Sequence, residues 1–157
     1  MTNRGVFRKI KRNKMPNGKR CVKHKWVFKV KRNGVFQARL VACGYSQIPG
    51  VDFGDHFALV VNDISYQTMI AIMMMCGLKA KIVDVETAFL HGDLDEEIYM
   101  EAPKGIGAKE DKVVILEQTI YGLVQSACQF WKKLTGILKN IGFKGGDIDP
   151  CLFIQEN

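Results

Sequence analysis

The chain has 157 residues, of which 47% are hydrophobic and 25% are charged, so it has the length and composition of one folded domain. These values exclude a wholly disordered chain. Its 23 Lys and Arg residues exceed its 16 Asp and Glu residues and give a formal net charge of +7.

The basic residues are concentrated near the start of the chain. Residues 1–32 hold more than half of them and no acid, whereas most acids follow Asp84. Such an imbalance favours a polyanionic partner such as nucleic acid, although many basic proteins have none.

Five cysteines, at positions 21, 43, 76, 128 and 151, form no Cys-x-x-Cys pair and predict reduced thiols in an intracellular protein. Cys21 and His24 have the spacing of one ligand pair of a zinc site, but the sequence offers no second pair. His56 and His91 are isolated, so no zinc site is predicted. The apolar run "MIAIMMMCGL" is too short to span a bilayer.

Residues 1–20 form a basic, turn-rich lead-in, and "KHKWVFKVKRNGVFQARLVACGY" then predicts a hairpin that turns at Asn33-Gly34. A two-residue turn would pair Phe28 with Arg39 and mix apolar with basic residues on each face. A loop one residue longer would pair Phe28 with Leu40. We favour this loop because a register shift of one residue would move a whole set of apolar side chains to the wrong face of the hairpin. The hairpin then has an apolar face and a basic face, which either binds a partner or only discourages aggregation.

The segment from Ile64 to Cys76 is apolar on nearly every side. With Asn62 or Asp63 as its N-cap and Gly77 as its end, it predicts a buried helix whose methionines fill the core.

The remaining segments predict a strand at "KAKIVDV", a strand at "VVILE", a helix from about Val124 to Ile141 and a final strand in "DPCLFIQEN". The expected fold class is therefore α+β, a mostly antiparallel sheet with helices packed on one side.

Asp84 ends the predicted strand "KAKIVDV", and a carboxylate there has two explanations. It caps the turn in "VETAF", or it binds a cation, since Mg²⁺ is usually held by one or two carboxylates together with substrate phosphates. Glu86 would share the face of Asp84 only if the strand continued. The later acids are expected in a solvated turn, namely Asp93, Asp95, Glu96 and Glu97.

Five blocks carry a resemblance that covers nearly the whole chain from about Gly5: "KHKWVFKVKRNG", "ARLVACGYSQIPGVDF", "VDVETAFLHGDLDEEIYME", "QTIYGLVQSACQFWKKL" and "IGFKGGDIDPCLFI". In this order and spacing the chain resembles the reverse-transcriptase domain of copia-type retrotransposon polyproteins. The resemblance implies the fingers and an incomplete palm of a right-hand polymerase. Residues 1–20 would lead in, 21–61 would form a fingers-like hairpin and loop, and 62–157 a partial palm.

The resemblance also implies roles for single residues. Asp84 matches the first catalytic aspartate, which with the backbone of Val85 would bind the Mg²⁺ ions, or Mn²⁺, of a two-metal nucleotidyl transfer. The implied nucleotide-binding residues are Arg39, Thr87, Ala88, Phe89, Tyr121, Gly122 and Gln125, and the implied nucleic-acid contacts are Lys25 and Lys29.

Simpler readings stay open for three of these residues. Arg39 is otherwise one member of a basic strand face, Phe89 a core residue and Tyr121 a buried aromatic residue. Cys128 also stands where the family usually has a basic residue.

The family's Tyr-Val-Asp-Asp block, which supplies further catalytic carboxylates, is not found in these residues, so we expect the chain to be inactive alone. Implied partners are an RNA or DNA primer–template, deoxynucleotides and other parts of the polyprotein, in the cytoplasm or in virus-like particles. The alternatives are a non-catalytic nucleic-acid-binding remnant and an unstable product that aggregates.

Overall fold

The computed structural model describes residues 5–105 and 111–155. Its strands are β1 (Phe7–Lys11), β2 (Cys21–Val22), β3 (His24–Val30), β4 (Phe36–Ala42), β5 (Asp93–Glu101), β6 (Lys112–Gln118), β7 (Lys144–Gly145) and β8 (Phe153–Ile154). The α-helices are α1 (Asp63–Met75) and α2 (Ser126–Asn140), and short 3₁₀ helices span Arg12–Lys14, Gly44–Ser46 and Ala88–His91.

A four-stranded sheet in the order β1-β6-β5-β2 forms the centre of the molecule. Its pairs are antiparallel except β2 with β5, which are parallel. The predicted strand "VVILE" is confirmed as the central strand β6, which is buried on both faces because apolar residues occupy consecutive positions. Strand β1 was not predicted, since its sequence "FRKIK" is mostly basic.

The core lies mainly on one face of this sheet. Val114 and Leu116 pack there with Ile98 and Met100 of β5 and with Leu40 of the hairpin. Burial of five such side chains removes a large apolar area from water, which is the main stabilising contribution to a domain of this size.

The hairpin of β3 and β4 is confirmed, but its register differs from the prediction. Phe28 pairs with Ala38, not with Leu40, and Val30 pairs with Phe36. The connecting loop has the expected three residues, but they are residues 32–34, with Gly34 at φ +78°. The apolar and basic faces are as predicted, because the two registers differ by two residues and a shift of two preserves the faces.

The predicted C-terminal helix is confirmed as α2, which packs against β5 and the 3₁₀ helix Ala88–His91. The prediction of a solvated acidic turn is wrong, because the acids concerned lie in β5. Lys133 Nζ donates to Asp93 at 2.6 Å, and Gln129 Nε2 donates to Asp95 at 2.6 Å. Asp93 and Asp95 therefore face α2 and connect it to the sheet, whereas Glu96 accepts from the backbone N–H of Gly54 and Glu97 from the Tyr99 hydroxyl.

Helix α1 begins and ends one residue before the predicted segment, and its N-cap is Asn62, one of the two predicted, since the Asn62 side chain accepts from the backbone N–H of Ile64 at 2.8 Å. The prediction that it is buried is wrong: none of its residues is buried, and Met75 is 86% exposed. An apolar pattern on every side requires cover on every side, and the described residues provide no layer over α1.

The predicted strand "KAKIVDV" is also not formed. Residues 79–86 have no regular secondary structure, and Ile82 is fully exposed. An extended segment becomes a strand only when a neighbouring backbone accepts and donates its hydrogen bonds, and no strand in the described ranges pairs with this one. Asp84 therefore lies in an extended loop.

The fold class is thus α+β with mostly antiparallel pairing, as expected, and α2 packs on the sheet whereas α1, among the residues described, has no buried side chain. Within residues 5–105 and 111–155, neither helix has both the length and the hydropathy needed to cross a bilayer.

Candidate functional site

An open cleft of about 610 Å³ lies between the hairpin and the loop that follows Val83. The loop lines it with Asp84, Val85, Glu86 and Thr87, and the hairpin with Lys31, Gln37, Ala38 and Arg39, while Leu90 and Tyr121 complete the wall. Two carboxylates and two cations thus line one cavity. Such a lining suits a ligand that carries phosphates and a cation together.

Arg39 lies on β4 and contacts Tyr121. Its guanidinium carbon is 5.4 Å from the centroid of the Tyr121 ring, within the range of a cation–π interaction. The backbone keeps these residues together, because the N–H of Ala42 donates to the Tyr121 carbonyl at 2.7 Å. Arg39 and Tyr121 are more than 80 residues apart in the sequence, so no local sequence pattern could predict their contact.

The close approach of the hairpin depends on Gly122. This residue has φ +87°, and a Cβ atom there would clash with the carbonyl of Ala42 and with Val41. Gly44 is equally confined, since its Cβ would clash with the Gly122 carbonyl. Gly122 therefore lets β4 and the residues after Tyr121 touch through their backbones.

Phe89 lies on the 3₁₀ helix Ala88–His91 and meets Tyr121 edge to face, with ring centroids 5.1 Å apart. The Thr119 hydroxyl donates to the Phe89 carbonyl, and the Thr119 backbone N–H donates to the Gly92 carbonyl at 3.0 Å. Phe89 itself lines a separate apolar groove beside α2 rather than the cleft.

Thr87 turns the chain from the extended loop into this short helix. It has φ 54° and ψ 38°, a left-handed conformation that is costly for a β-branched residue. Its carbonyl accepts from the N–H of Leu90 at 2.7 Å. The backbone after Asp84 is thus held in a defined bend beside Ala88.

Asp84 also lines a second cavity, of about 600 Å³, together with His91 and Gln118. The His91 ring nitrogen Nε2 lies 3.3 Å from the Glu86 carbonyl oxygen. Lys31, His91 and Gln118 lie inside the sequence blocks that carry the resemblance, but the resemblance assigns none of them a role in the site. Only the fold brings them near Asp84.

Four other predicted residues lie outside this cleft lining, and one of them, Ala88, is half-buried in the 3₁₀ helix Ala88–His91. Lys25 and Lys29 are exposed on β3, and Gln125 is only 1% exposed, with its amide hydrogen-bonded inside the protein. The structure therefore brings together Asp84, Val85, Thr87, Arg39 and Tyr121, with Phe89 behind Tyr121, and places Gln125 in the interior.

The described residues do not form a metal centre by themselves. In residues 5–105 and 111–155, no group of three or more His, Cys, Asp or Glu side chains is placed to hold a metal ion. Asp84 and Glu86 are the carboxylates in the cleft lining, and oxygen ligands of this kind suit a hard divalent cation when substrate phosphates complete its coordination.

The sheet, α2 and the cleft define an α+β domain with an open cleft lined by charged side chains. Residues 7–157 match the sequence model of the family described as reverse transcriptase (RNA-dependent DNA polymerase), and the chain belongs to this family. It is a fragment of the kind found in copia-type retrotransposon polyproteins. Enzymes of this family generally use a divalent metal, act on nucleic acids and are accompanied by other polyprotein parts.

The curated relatives are plant transposon proteins. The chain is 39% identical over 149 residues to the retrovirus-related Pol polyprotein from transposon TNT 1-94 of Nicotiana tabacum, covering 90% of this chain and 11% of the relative. It is 34% identical to the corresponding polyprotein from transposon RE2 of Arabidopsis thaliana and 32% identical to that from RE1, covering 84% of this chain and 10% of each relative. The chain thus spans about a tenth of these relatives. No solved structure matches it.

Proposed function

We propose that this chain forms the nucleotide-binding side of a reverse-transcriptase active site and takes part in RNA-directed DNA synthesis within a longer polyprotein. The observation that carries the proposal is the single cleft lined by Asp84, Thr87, Arg39 and Tyr121. These residues come from three separate segments of the chain, and the sequence resemblance implies a role in nucleotide binding or catalysis for each.

In this proposal the cleft binds an incoming deoxynucleotide through its phosphates. The Arg39 guanidinium is oriented by the Tyr121 ring and donates to phosphate oxygens in a fork. Backbone N–H groups of Thr87 and Ala88 donate to the triphosphate from the bend that Thr87 creates.

Asp84 would hold a divalent ion, Mg²⁺ or Mn²⁺, with the backbone of Val85. When bound, such ions stabilise the charge on the entering and leaving oxygens of the transfer. A two-metal transfer needs more acidic ligands than the described cleft supplies. We therefore infer that DNA synthesis requires acidic ligands beyond those that residues 5–105 and 111–155 supply.

Phe89 would limit space at the sugar 2′ position, so that deoxynucleotides are preferred. Its placement behind Tyr121 supports an indirect effect on the cleft, because the two rings are in edge-to-face contact. Gly122 would act by allowing the close backbone approach of β4. A direct nucleotide contact by Gln125 stays a prediction.

Two further assignments complete the proposal. Residues 21–61 act as the fingers and residues 62–157 as part of the palm, in a right-hand polymerase. The protein acts in the cytoplasm or in virus-like particles, with a primer–template of RNA or DNA as its partner.

A second candidate function is nucleic-acid binding without catalysis. The observed register supports it, since Lys25, Lys29 and Arg39 lie on one face of the hairpin and all are exposed. Replacing Lys25 and Lys29 by Gln should lower the salt dependence of binding to a primer–template by about one ion per lysine. If the double variant binds the primer–template at low salt as tightly as the unmodified chain, this face of the hairpin does not bind nucleic acid.

Primer extension by the longer polyprotein tests the proposed function. Asp84→Asn should reduce extension about a thousandfold or more, because it removes a charged metal ligand without changing size. Asp147→Asn is the matched control, since Asp147 is exposed and does not line the cleft. Undiminished extension by Asp84→Asn would overturn the proposal.

A further inference from the structure

Two buried glutamines connect the end of the hairpin to the start of α2. Gln47 follows the 3₁₀ helix Gly44–Ser46 and is 7% exposed, and Gln125 precedes α2 and is 1% exposed. Buried amides are costly unless both their donor and acceptor groups find partners. Here they do, although the two residues are 78 positions apart in the chain.

The hydrogen bonds form a directed series. The backbone N–H of Val124 donates to Gln47 Oε1 at 2.9 Å, and Gln47 Nε2 donates to Gln125 Oε1 at 3.0 Å. Gln125 Nε2 then donates to the Asp52 carbonyl at 3.0 Å. The Asp52 carboxylate in turn accepts from the N–H of Ile48 at 2.8 Å. We call Gln47 and Gln125 the amide pair.

The amide pair joins two segments that continue from cleft-lining residues. Gln47 is five residues beyond the end of β4, and Val124 is three residues beyond Tyr121. Between them, the Ala42 N–H donates to the Tyr121 carbonyl at 2.7 Å, in the region where Gly44 and Gly122 bring the two backbones together. Loss of the amide pair would free the same two segments whose contact places Arg39 over Tyr121.

We propose that Gln47 is a positioning residue that, through Gln125, holds the hairpin of β3 and β4 over the cleft and so sets the affinity for a nucleoside triphosphate. This inference rests on the proposed function, because it assumes that Arg39 binds the phosphates. It gives Gln125 a role that needs no contact with the nucleotide.

Hydrogen exchange of the 157-residue chain tests the positioning directly. Gln47→Leu removes both polar atoms while keeping similar volume, and should speed exchange of the Val124 and Ala42 amides about tenfold. The Val114 amide of β6 should not change. Gln67→Leu is the control, because Gln67 is exposed on α1. Faster exchange confined to Val124 would overturn the proposal.

Primer-extension kinetics of the longer polyprotein test the consequence for the nucleotide. Gln47→Leu should raise KM for dGTP about tenfold and change kcat less than about twofold, since it weakens binding without touching the reacting atoms. In an Arg39→Ala background, Gln47→Leu should add no further increase, because it acts through Arg39. Additive increases would overturn the proposal.

The outcomes separate this inference from the proposed function. If extension does not depend on Asp84, the proposed function fails, and the exchange experiment still decides whether the amide pair holds the hairpin. If extension depends on Asp84 but KM is unchanged in Gln47→Leu, only the inference fails. Should Gln47→Leu not fold, Gln47→Asn retains an amide with a shorter reach, and failure of both to fold would refute a specific positioning role.

Discussion

The guanidinium of Arg39 lies 5.4 Å from the ring centroid of Tyr121, so a cation on the hairpin and an aromatic ring on the sheet side of the cleft form one unit. Tyr121 in turn meets Phe89 edge to face. Side chains on two other segments, Arg39 and Phe89, therefore both pack against the Tyr121 ring. The ring gives Arg39 a defined direction, which an exposed arginine on a strand would otherwise lack.

Replacing Tyr121 tests this unit. Tyr121→Leu removes the aromatic ring beneath Arg39 and should raise KM for a deoxynucleotide by about threefold to tenfold, which corresponds to a cation–π energy of about 0.7–1.4 kcal/mol. Primer extension by the longer polyprotein measures it. Tyr121→Phe is the control, because it keeps the ring, and should leave KM nearly unchanged. Equal effects of Phe and Leu would show that the hydroxyl, rather than the ring, is what matters.

Gly122 should be among the least replaceable residues of the fold. Gly122→Ala combines an unfavourable positive φ with a clash against Ala42 and should lower the free energy of unfolding by about 3 kcal/mol or more. Gly18 provides a matched control, since it has φ +84° but open space around its Cβ position. Gly18→Ala should cost only about 1 kcal/mol.

Urea unfolding of both variants measures the difference. A similar loss in Gly18→Ala and Gly122→Ala would show that backbone conformation alone is responsible and that the close approach of β4 contributes nothing.

Asp149 connects the start of α1 to the loop before β8. Its carboxylate accepts from the backbone N–H groups of Asn62 and Cys151, each at 2.9 Å, and these bonds, together with one from the Ser65 hydroxyl, lower the pKa of Asp149. A lowered folded-state pKa stabilises the fold above the unfolded-state pKa, near 4, and this contribution is lost as pH falls through the folded-state pKa.

Asp149→Asn should therefore have a lower free energy of unfolding than the unmodified chain at pH 7. This difference in unfolding free energy, the gap, should narrow as pH falls below about 4. Unfolding free energies from urea titrations at pH 7 and pH 3 measure the gap. Asp147→Asn, two residues away and exposed, should show no such gap at either pH. A gap for Asp149→Asn that is the same at both pH values would contradict the account.

The sequence predicted those elements whose pattern matches a local period. Alternation identified the two faces of the hairpin, and helical spacing identified α2. The register was missed because apolar alternation cannot distinguish pairing Phe28 with Leu40 from pairing it with Ala38.

The other errors depend on tertiary partners. The apolar segment 64–76 has no preferred face, so its composition predicted burial that the described residues do not provide. The segment before Asp84 has strand-like residues, but none of the described strands pairs with its backbone. Strand β5 was not predicted because its first half is acidic and a run of acids is typical of a solvated turn. Lys133 and Gln129 of α2 stabilise these acids in the strand through hydrogen bonds.

The residues of the candidate site also divide into those that a sequence motif identifies and those that only tertiary contacts identify. Motif resemblance selected Asp84, Arg39 and Tyr121, which the fold does bring to one cleft. Gln47 and His91 were not selected, because their contacts are with the backbone or with another buried amide and leave no local signature.

Binding of dGTP to the longer polyprotein on a chain-terminated primer–template, with and without Mg²⁺, tests the central claim most directly. The account predicts that Mg²⁺ tightens binding in the unmodified protein and not in Asp84→Asn, whereas Arg39→Ala weakens binding about tenfold or more under both conditions. An undiminished Mg²⁺ effect in Asp84→Asn, or unchanged affinity in Arg39→Ala, would contradict it.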